Sequence, residues 1–403
     1  MPTVVLLGTL DTKGQEYAFL RERVEAHGVD VLVVDAGVNE PVGIQPDVSR
    51  DEVAGAAGAS AAELAAAGDR GAAVTAMGAG AEAIVLELHA AGRLDGILAL
   101  GGSGGSSIAA RAMRALPVGV PKLLVSTVAS GDTRPYVGAV DVTMMYSVVD
   151  IAGVNRVSAR IMANAAGAIA GMVKSDLPAL DEKPLVAATM FGVTTPCVTI
   201  ARERLEEHGY EVLVFHATGA GGQSMEALAK GGFLVGVLDA TTTELADELV
   251  GGMLSAGPER LEAAGALGLP QVVSLGALDM VNFGPRESVP AEFSDRNLYV
   301  HNPTVTLMRT TAAESAELGR TIGRKLSAAT GPTAVLVPLG GVSMIDVAGQ
   351  PFYDPEADAA LVAGLQETLD ERVELHERSE NINDPAFAIA MADRLHELIQ
   401  GAA

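Results

Sequence analysis

Short apolar segments alternate with longer helical patterns along the chain, and this alternation constrains the fold more than any other feature of the sequence. In the first half, the apolar segments are Val4–Gly8, Val31–Ala36, Gly96–Gly101, Leu123–Thr127 and Val140–Met145. A strand of a parallel sheet is buried on both faces and reads as a continuous apolar run, and the connection to the next strand is usually a helix. The sequence therefore predicts an α/β protein with mainly parallel sheets flanked by helices.

The opening pattern of the chain returns in its second half. Strand, helix and strand are predicted first at Val4–Thr9, Gly14–Ala26 and Val31–Gly37, and again at Leu185–Thr189, Cys197–Glu207 and Val212–Gly219. Each of the two helices ends in His-Gly, at His27-Gly28 and at His208-Gly209. Glycine at this position is typical of a helix C-cap. The repeat indicates two domains that begin with the same β-α-β unit, by duplication or through common packing demands.

The segment Ser175–Pro184, which has mixed charge and two prolines, separates the two halves. We predict one Rossmann-like domain over residues 1–178 and a second over residues 184–403. Further strands of the second domain are predicted at Val235–Asp239, Val272–Leu275, Leu298–His301, Ala334–Leu339 and Arg372–Glu377, and helices at Ala357–Leu369 and Pro385–Ile399.

Charge and cysteine content exclude several classes of function. The formal net charge of −24 argues against a nucleic-acid or anionic-membrane partner, although backbone dipoles can still bind a small anion. The single cysteine, Cys197, excludes an intramolecular disulfide and fits a reducing compartment. The N-terminus reaches Gly8, Asp11 and Lys13 too early for a signal peptide, and no charge-free apolar run approaches ~20 residues. We expect a cytoplasmic protein that binds a small molecule.

The first candidate site is the loop Gly8-Thr-Leu-Asp-Thr-Lys-Gly14, which follows the first strand. In an open parallel sheet the ligand lies outside the carboxyl ends of the strands, and a helix N-terminus favours a phosphate there. Gly8, Thr9, Asp11, Thr12 and Lys13 are the candidate ligand-binding residues. In the alternative interpretation, Asp11 or Thr12 only caps the helix and Lys13 lies in solvent.

The second candidate site is Gly101-Gly-Ser-Gly-Gly-Ser-Ser107, between a predicted strand and an Ala-rich helix. Four glycines allow backbone amides to approach a ligand closely, and the serines can add hydroxyl donors. The candidate residues are Gly101, Gly102, Ser103, Gly104, Gly105 and Ser106. The alternative is a flexible surface turn. Asp35, at the end of the second strand, either contacts a ribose hydroxyl or merely ends the strand.

Three polar strand ends of the second half, at Gly192–Cys197, His216–Ser224 and Asp239–Glu244, suggest a second anion pocket. Cys197, at a helix N-terminus, can be a nucleophile with a lowered thiol pKa or an inert buried residue. His216 is a candidate acid or base. Asp239 and Glu244 either orient water or Mg²⁺, or cap helices.

Other polar residues of the second half stand in apolar surroundings. Asp279 and Asn282 lie in the predicted loop Gly276–Gly284 and need partners. Arg309 suits a carboxylate or a phosphate, and a salt bridge between domains or subunits is an equal alternative. No histidine or cysteine spacing indicates zinc, and no Gly-x-Ser-x-Gly elbow is present.

Taken together, these motifs resemble the Tm-one-like ATP-binding family, named after a tomato protein that confers resistance to a tobamovirus. The motifs are Gly8–Gly14, Gly101–Gly105, Phe191–Cys197, Gly276–Gly284 and Asn383–Phe387. The resemblance covers nearly the whole chain. It implies two α/β domains, homo-oligomers that are commonly dimers, and ATP binding in the N-terminal half. Carried onto this sequence, it places ATP at Gly8, Thr9, Asp11, Thr12, Lys13 and Gly101–Ser106.

Three functions are compatible with these features. The first is an ATP-dependent enzyme acting on a small metabolite at the cleft between the domains, with Mg²⁺ as a possible companion of ATP. The second is a nucleotide-binding regulatory or interaction protein without turnover. The third is a nucleotide-independent acyl or C–C hydrolase that uses Cys197 or His216.

Overall fold

The computed structural model describes residues 1–176 and 183–402 and divides into two compact units, Met1–Ala179 and Leu180–Ala403. The predicted boundary segment Ser175–Pro184 includes residues 177–182, which lie outside the described residues. Each unit contains a parallel sheet flanked by helices, so the predicted fold class, two Rossmann-like α/β domains, is confirmed.

The N-terminal domain is built on a five-stranded parallel sheet of order β2-β1-β3-β4-β5. Its elements are β1 (Thr3–Gly8), α1 (Leu10–Glu25), β2 (Asp30–Asp35), α2 (Arg50–Ala56), α3 (Ala61–Ala67), α4 (Arg70–Ala90), β3 (Gly96–Gly101), α5 (Ser103–Ala115), β4 (Lys122–Ser126), α6 (Arg134–Val137), β5 (Thr143–Tyr146) and α7 (Arg156–Met172). In β1, Val4 and Leu6 pack under α1 and α7, whereas Val5 and Leu7 pack under α2, α4 and α5. The sheet is therefore buried on both faces, as its apolar strands predict.

The C-terminal domain has a six-stranded parallel sheet of order β14-β13-β9-β8-β6-β7 and a three-stranded antiparallel sheet of order β10-β12-β11. The strands are β6 (Leu185–Met190), β7 (Glu211–His216), β8 (Leu234–Thr241), β9 (Gln271–Gly276), β10 (Met280–Phe283), β11 (Leu298–Asn302), β12 (Val305–Arg309), β13 (Thr333–Pro338) and β14 (Glu374–Arg378). The α-helices are α8 (Thr195–Glu207), α9 (Ala220–Lys230), α10 (Glu244–Val250), α11 (Ala263–Ala266), α12 (Ala312–Ser327), α13 (Pro355–Thr368) and α14 (Pro385–Ala402), with short 3₁₀ turns at Gly192–Thr194, Arg286–Ser288 and Ala291–Phe293.

The predicted β-α-β repeat is present in both domains. The neighbours of the first strand follow the same order, β2-β1-β3 in one domain and β7-β6-β8 in the other. Both predicted C-cap glycines have the left-handed backbone that favours glycine, with φ of 69° at Gly28 and 93° at Gly209.

The small antiparallel sheet differs from the expectation. Met280–Phe283, inside the segment predicted to be a loop, is a strand, and Leu298–Asn302 pairs with β12 rather than with the parallel sheet. Short apolar stretches do not reveal their partners in the sequence, and the tight connection between Asn302 and Val305 favours a hairpin.

One helix among the described residues, α4, is long and apolar enough by composition to cross a membrane. About a third of its most apolar stretch is buried, and the helix packs against α2 and α5. Core helices of globular domains have the same composition, and the contacts of α4 assign it to the core of the N-terminal domain.

Candidate functional site

A cavity of about 590 Å³ lies at the carboxyl ends of β1 and β3 in the N-terminal domain. β2 and β3 pair with opposite edges of β1, so the strand order changes direction at this point. Such a topological switch point is where α/β sheets bind ligands. Both glycine-containing loops predicted from the sequence contribute to its wall. The lining residues from these loops are Thr9, Asp11, Thr12, Lys13, Gly101, Gly102, Gly104 and Gly105.

Two helix N-termini meet at this cavity. β1 pairs with β3 up to Leu7 opposite Ala99, and α1 and α5 begin shortly after the ends of these neighbouring strands. Neither N-cap residue, Thr9 of α1 or Gly102 of α5, caps its helix with a side chain, whereas α2, α7 and α12 have complete capping boxes. The amides of the first turn of α5 are therefore available to an anion in the cavity.

Buried polar contacts hold these loops in place. Asp35 is fully buried at the end of β2, and its Oδ1 accepts hydrogen bonds from the amides of Leu10 at 3.1 Å and Gly37 at 2.8 Å. Asp11 accepts from the backbone and side-chain nitrogens of Asn39, both at 3.2 Å. Asp35 is not among the lining residues, so it positions the cavity wall rather than facing a ribose.

Substitution of Asp35 tests this positioning role. We expect Asp35→Ala to lower the free energy of unfolding by about 1–3 kcal/mol, because two buried amides lose their acceptor. Asp35→Asn keeps an oxygen at the Oδ1 position. Because burial raises the pKa of the Asp35 carboxyl, the neutral amide is expected to cost less than alanine. Urea unfolding followed by circular dichroism measures both variants, and an equal loss in both would contradict the assignment.

Two cations line the cavity, Lys13 and Arg70. The Lys13 Nζ donates to the carbonyl of Ile151, and Arg70 is the first residue of α4. Arg70 was not predicted from the sequence, because nothing in the chain pattern places the start of α4 beside a loop some thirty residues later. The apolar part of the wall was not predicted either, and it is formed by Leu64, Ala65, Ala73, Val74, Met77 and Ile108.

Three of the predicted N-terminal site residues lie outside the cavity lining. Gly8 makes room for Tyr17, since a Cβ at Gly8 would lie 2.0 Å from the ring. The Ser106 hydroxyl is buried and shares a 2.6 Å hydrogen bond with Ser126. Ser103 is exposed, and its carbonyl accepts from Ser107.

The glycine-rich turn of the C-terminal domain already holds an anion from the protein itself. The Oε1 of Glu244 accepts hydrogen bonds from the amides of Gly219 at 2.7 Å and Gly222 at 3.1 Å, at the start of α9. Glu244 is fully buried. The expectation of an open second anion pocket at this turn is therefore wrong, because a carboxylate of the chain occupies the helix N-terminus.

Asp239 and Glu244 share one buried cation, Arg260. The Arg260 Nη2 donates to Asp239 Oδ1 at 2.7 Å, and its Nε donates to Glu244 Oε2 at 2.6 Å. Asp239 also accepts from the Thr189 hydroxyl at 2.7 Å. All three charged side chains are at most 1% exposed, so the two carboxylates stabilise the domain core rather than face a bound metal.

Cys197 and His216 lie in different environments. Cys197 is fully buried, and burial raises the pKa of its thiol to about 12, so the expectation of a lowered pKa is wrong. His216 is exposed at the end of β7, with its ring 5.5 Å from that of Phe191. Among the described residues, no group of three or more His, Cys, Asp or Glu side chains is arranged to hold a metal.

Arg309 is bound within the C-terminal domain. Its Nη2 donates to Asp346 at 3.2 Å and to Asp358 at 2.6 Å, and its Nε donates to the carbonyl of Phe352. The Arg309 side chain is 5% exposed, so the predicted carboxylate partner is present, whereas a phosphate ligand and a bridge to another subunit are excluded. Asp279 is buried beside this group and accepts from the Ser343 hydroxyl at 2.8 Å.

Profiles of both halves of one family match this chain. The N-terminal domain of the "Uncharacterised protein family (UPF0261)" matches residues 2–178, and its C-terminal domain matches residues 183–399. The chain belongs to the UPF0261 family. Its two family domains correspond to the two α/β units of the structure.

UPF0261 relatives from bacteria and from a plant align with nearly the whole chain. A UPF0261 protein of Clostridium tetani is 55% identical over 399 residues, which cover 98% of this chain and 99% of the relative. The ToMV resistance protein Tm-1(GCR237) of Solanum lycopersicum is 41% identical over 98% of this chain and 56% of its own length. The predicted resemblance to the Tm-one-like family is thus confirmed, and this UPF0261 chain spans about half of the tomato protein.

Solved structures similar to this UPF0261 chain are distant. A UDP-N-acetylglucosamine 2-epimerase from Rickettsia bellii matches 68% of this chain and 78% of its own, with 10% identity and a TM-score of 0.23. A likeness at this level carries no argument about function.

Proposed function

We propose that the N-terminal domain binds ATP in the cavity at the ends of β1 and β3. The observation that carries this proposal is the meeting of two helix N-termini at a cavity that also holds Lys13 and Arg70, with the first-turn amides of α5 left without a side-chain cap. Amides at helix N-termini and cationic side chains are the groups that bind phosphate in α/β proteins. The volume of about 590 Å³ is in the range of small-molecule and cofactor pockets.

The wall of the cavity changes from polar to apolar along two helices. Arg70 and Met77 both line it, and they are about 10 Å apart along α4. Gly104 and Ile108 make the same change over one turn of α5. This gradient supports an orientation with the phosphates at the helix N-termini and the flat base against the apolar part of the wall.

Mg²⁺ is proposed to accompany the nucleotide rather than to occupy a site made by the protein alone. Asp11, Asp69 and Asp150 line the cavity, yet no cluster of three ligating side chains exists among the described residues. Mg²⁺ commonly keeps several waters and binds through substrate phosphates with one or two carboxylates. The ion would also offset repulsion between those carboxylates and the phosphates.

Filling the cavity tests the proposal. A side chain at Gly104 would extend toward Arg70 and Val74, since a Cβ there lies 3.3 Å from the guanidinium Nη2 and 3.7 Å from a Val74 methyl. We expect Gly104→Leu to weaken ATP binding at least about tenfold, a loss of about 1.4 kcal/mol, in isothermal titration calorimetry with Mg²⁺.

The matched control is Gly171→Leu on α7, an exposed position where nothing lies within 4 Å of the place that a Cβ would take. This variant is expected to bind ATP like the unsubstituted protein. If the unsubstituted protein does not bind ATP, the proposal is overturned. If Gly104→Leu and Gly171→Leu weaken ATP binding equally, ATP does not bind in this cavity.

A nucleotide-binding role without turnover is favoured over an ATP-dependent enzyme by the positions of the catalytic candidates. Cys197 is buried, and Asp239 and Glu244 are held by Arg260. The assay is release of phosphate from ATP by the purified protein. If variants of Cys197, His216 and Asp239 still release phosphate, any turnover takes place at the N-terminal cavity instead. Absence of release, with a nucleotide-dependent change in oligomeric state in small-angle scattering, would support the regulatory role.

We further propose a cytoplasmic location, where ATP is present and the lone cysteine stays reduced.

A further inference from the structure

Arg70 differs from the other charged residues of the cavity because its guanidinium is free. Among the described residues, no hydrogen-bond or ion-pair partner is found for it. By contrast, Lys13 donates to the Ile151 carbonyl, Asp69 accepts from the Ala72 amide, and Asp150 accepts from the Ile151 amide. Arg70 is thus the cation that has all of its donors available to a ligand.

The position of Arg70 relates it to the start of α5. Its Nη2 lies 3.3 Å from the place where a Cβ would stand at Gly104, in the first turn of that helix. The guanidinium fork and the free amides of α5 therefore face the same small volume. A planar fork beside several N–H donors matches the tetrahedral oxygens of a phosphoryl group.

The second helix N-terminus lies one strand spacing away. Thr9 follows β1, the strand that pairs with β3, and Lys13 lies one turn further along α1. A chain of two or three phosphoryl groups reaches over a longer row of donors than a single phosphoryl group does, so it can contact Lys13 as well as Arg70 and the start of α5. Three carboxylates also line the cavity, so a phosphate must be captured by directed contacts rather than by a general positive field.

On the basis of the proposed nucleotide site, we infer that Arg70 binds the phosphate chain and that the site is selective for nucleoside di- and triphosphates over monophosphates. Arg70 and the start of α5 hold one part of the phosphate chain, and Lys13 holds the next. A nucleoside monophosphate engages only one of these two sets of donors.

The test compares adenosine, AMP, ADP and ATP by isothermal titration calorimetry with Mg²⁺ on the full chain. The unsubstituted protein is expected to bind ATP and ADP at least about tenfold more tightly than AMP. Arg70→Gln is expected to weaken ATP and ADP binding about 10- to 100-fold while changing adenosine binding less than about threefold. Arg70→Lys, which keeps the charge but loses the fork, is expected to lie between the two.

Arg93→Gln serves as the matched control, since Arg93 is exposed just beyond the other end of α4. It is expected to leave all four affinities unchanged. Equal affinity of the unsubstituted protein for AMP and ATP, or an equal loss of adenosine and ATP binding in Arg70→Gln, would overturn this inference while leaving nucleotide binding intact. Failure of all four ligands to bind the unsubstituted protein would instead overturn the proposed function.

Discussion

Replacing Arg260 with methionine is expected to lower the free energy of unfolding by more than about 4 kcal/mol. The guanidinium is fully buried and pairs with Asp239 and Glu244, which are themselves buried, and with Glu226 at 3.5 Å. Without Arg260, these carboxylates lose their cation in a place that water does not reach. A buried charge without a partner is among the most destabilising changes known in a protein core.

Because Arg260→Met can prevent folding altogether, Arg260→Lys gives a second measurement. Lysine keeps the charge but cannot contact both carboxylates with a planar fork, so an intermediate loss is expected. Adding Glu244→Gln to Arg260→Met removes one uncompensated charge and is expected to recover part of the stability. Urea unfolding monitored by circular dichroism measures all of these, with Arg202→Met as the exposed control. A loss below about 1 kcal/mol for Arg260→Met would contradict this account.

Much of the wall of the N-terminal cavity was predictable because its parts follow strand ends directly. Once Val4–Gly8 and Gly96–Gly101 are assigned as parallel strands, their carboxyl ends must share an edge, and Thr9–Lys13 and Gly102–Gly105 follow them. Arg70 and Met77 were not predictable, because α4 is an inserted helix whose packing on α5 depends on tertiary contacts.

In the C-terminal domain, a similar pattern of glycines and hydroxyls did not produce an open anion pocket. Glycines and hydroxyls after a strand indicate an anion site, and the structure does have an anion there, but it is the carboxylate of Glu244. Glu244 lies more than twenty residues from the amides of Gly219 and Gly222 that it caps. The sequence alone does not show which distant side chain binds the amides at a helix N-terminus. Arg260, whose charge makes this arrangement possible, has no distinguishing sequence signal.

The three aspartates around Arg309 are expected to make the folded protein less stable as the pH rises. Asp279, Asp346 and Asp358 surround this one arginine. Burial and the neighbouring carboxylates raise the pKa of Asp346 to about 8, and burial raises that of Asp279 to about 6. The Oδ1 of Asp279 is also buried without a hydrogen-bond partner among the described residues, as suits a protonated carboxyl.

The direction follows from the protons that each state holds. In the unfolded chain these carboxyls release their protons near pH 4, whereas in the folded chain they keep them to higher pH. Their contribution to stability is therefore fully present below about pH 4 and is lost as the pH rises through 6 and 8. Each such group changes the free energy of unfolding by at most about 1.4 kcal/mol per pH unit in this window.

Urea unfolding at intervals between pH 5 and pH 9 measures this slope, in a range where carboxyls with lowered pKa values stay ionised in both states. Asp346→Asn removes the group with the most raised pKa and one negative neighbour of Asp279, so the decline between pH 6 and pH 8 is expected to become shallower. Asp370→Asn is the control, because Arg372 holds the pKa of that exposed carboxyl below its usual value.

The absolute stability of Asp346→Asn does not decide the matter, since the amide must replace contacts to both Arg309 and the Val342 amide. An unchanged slope in Asp346→Asn would show that Arg309 keeps all three carboxylates ionised, which the buried, unpaired Oδ1 of Asp279 opposes.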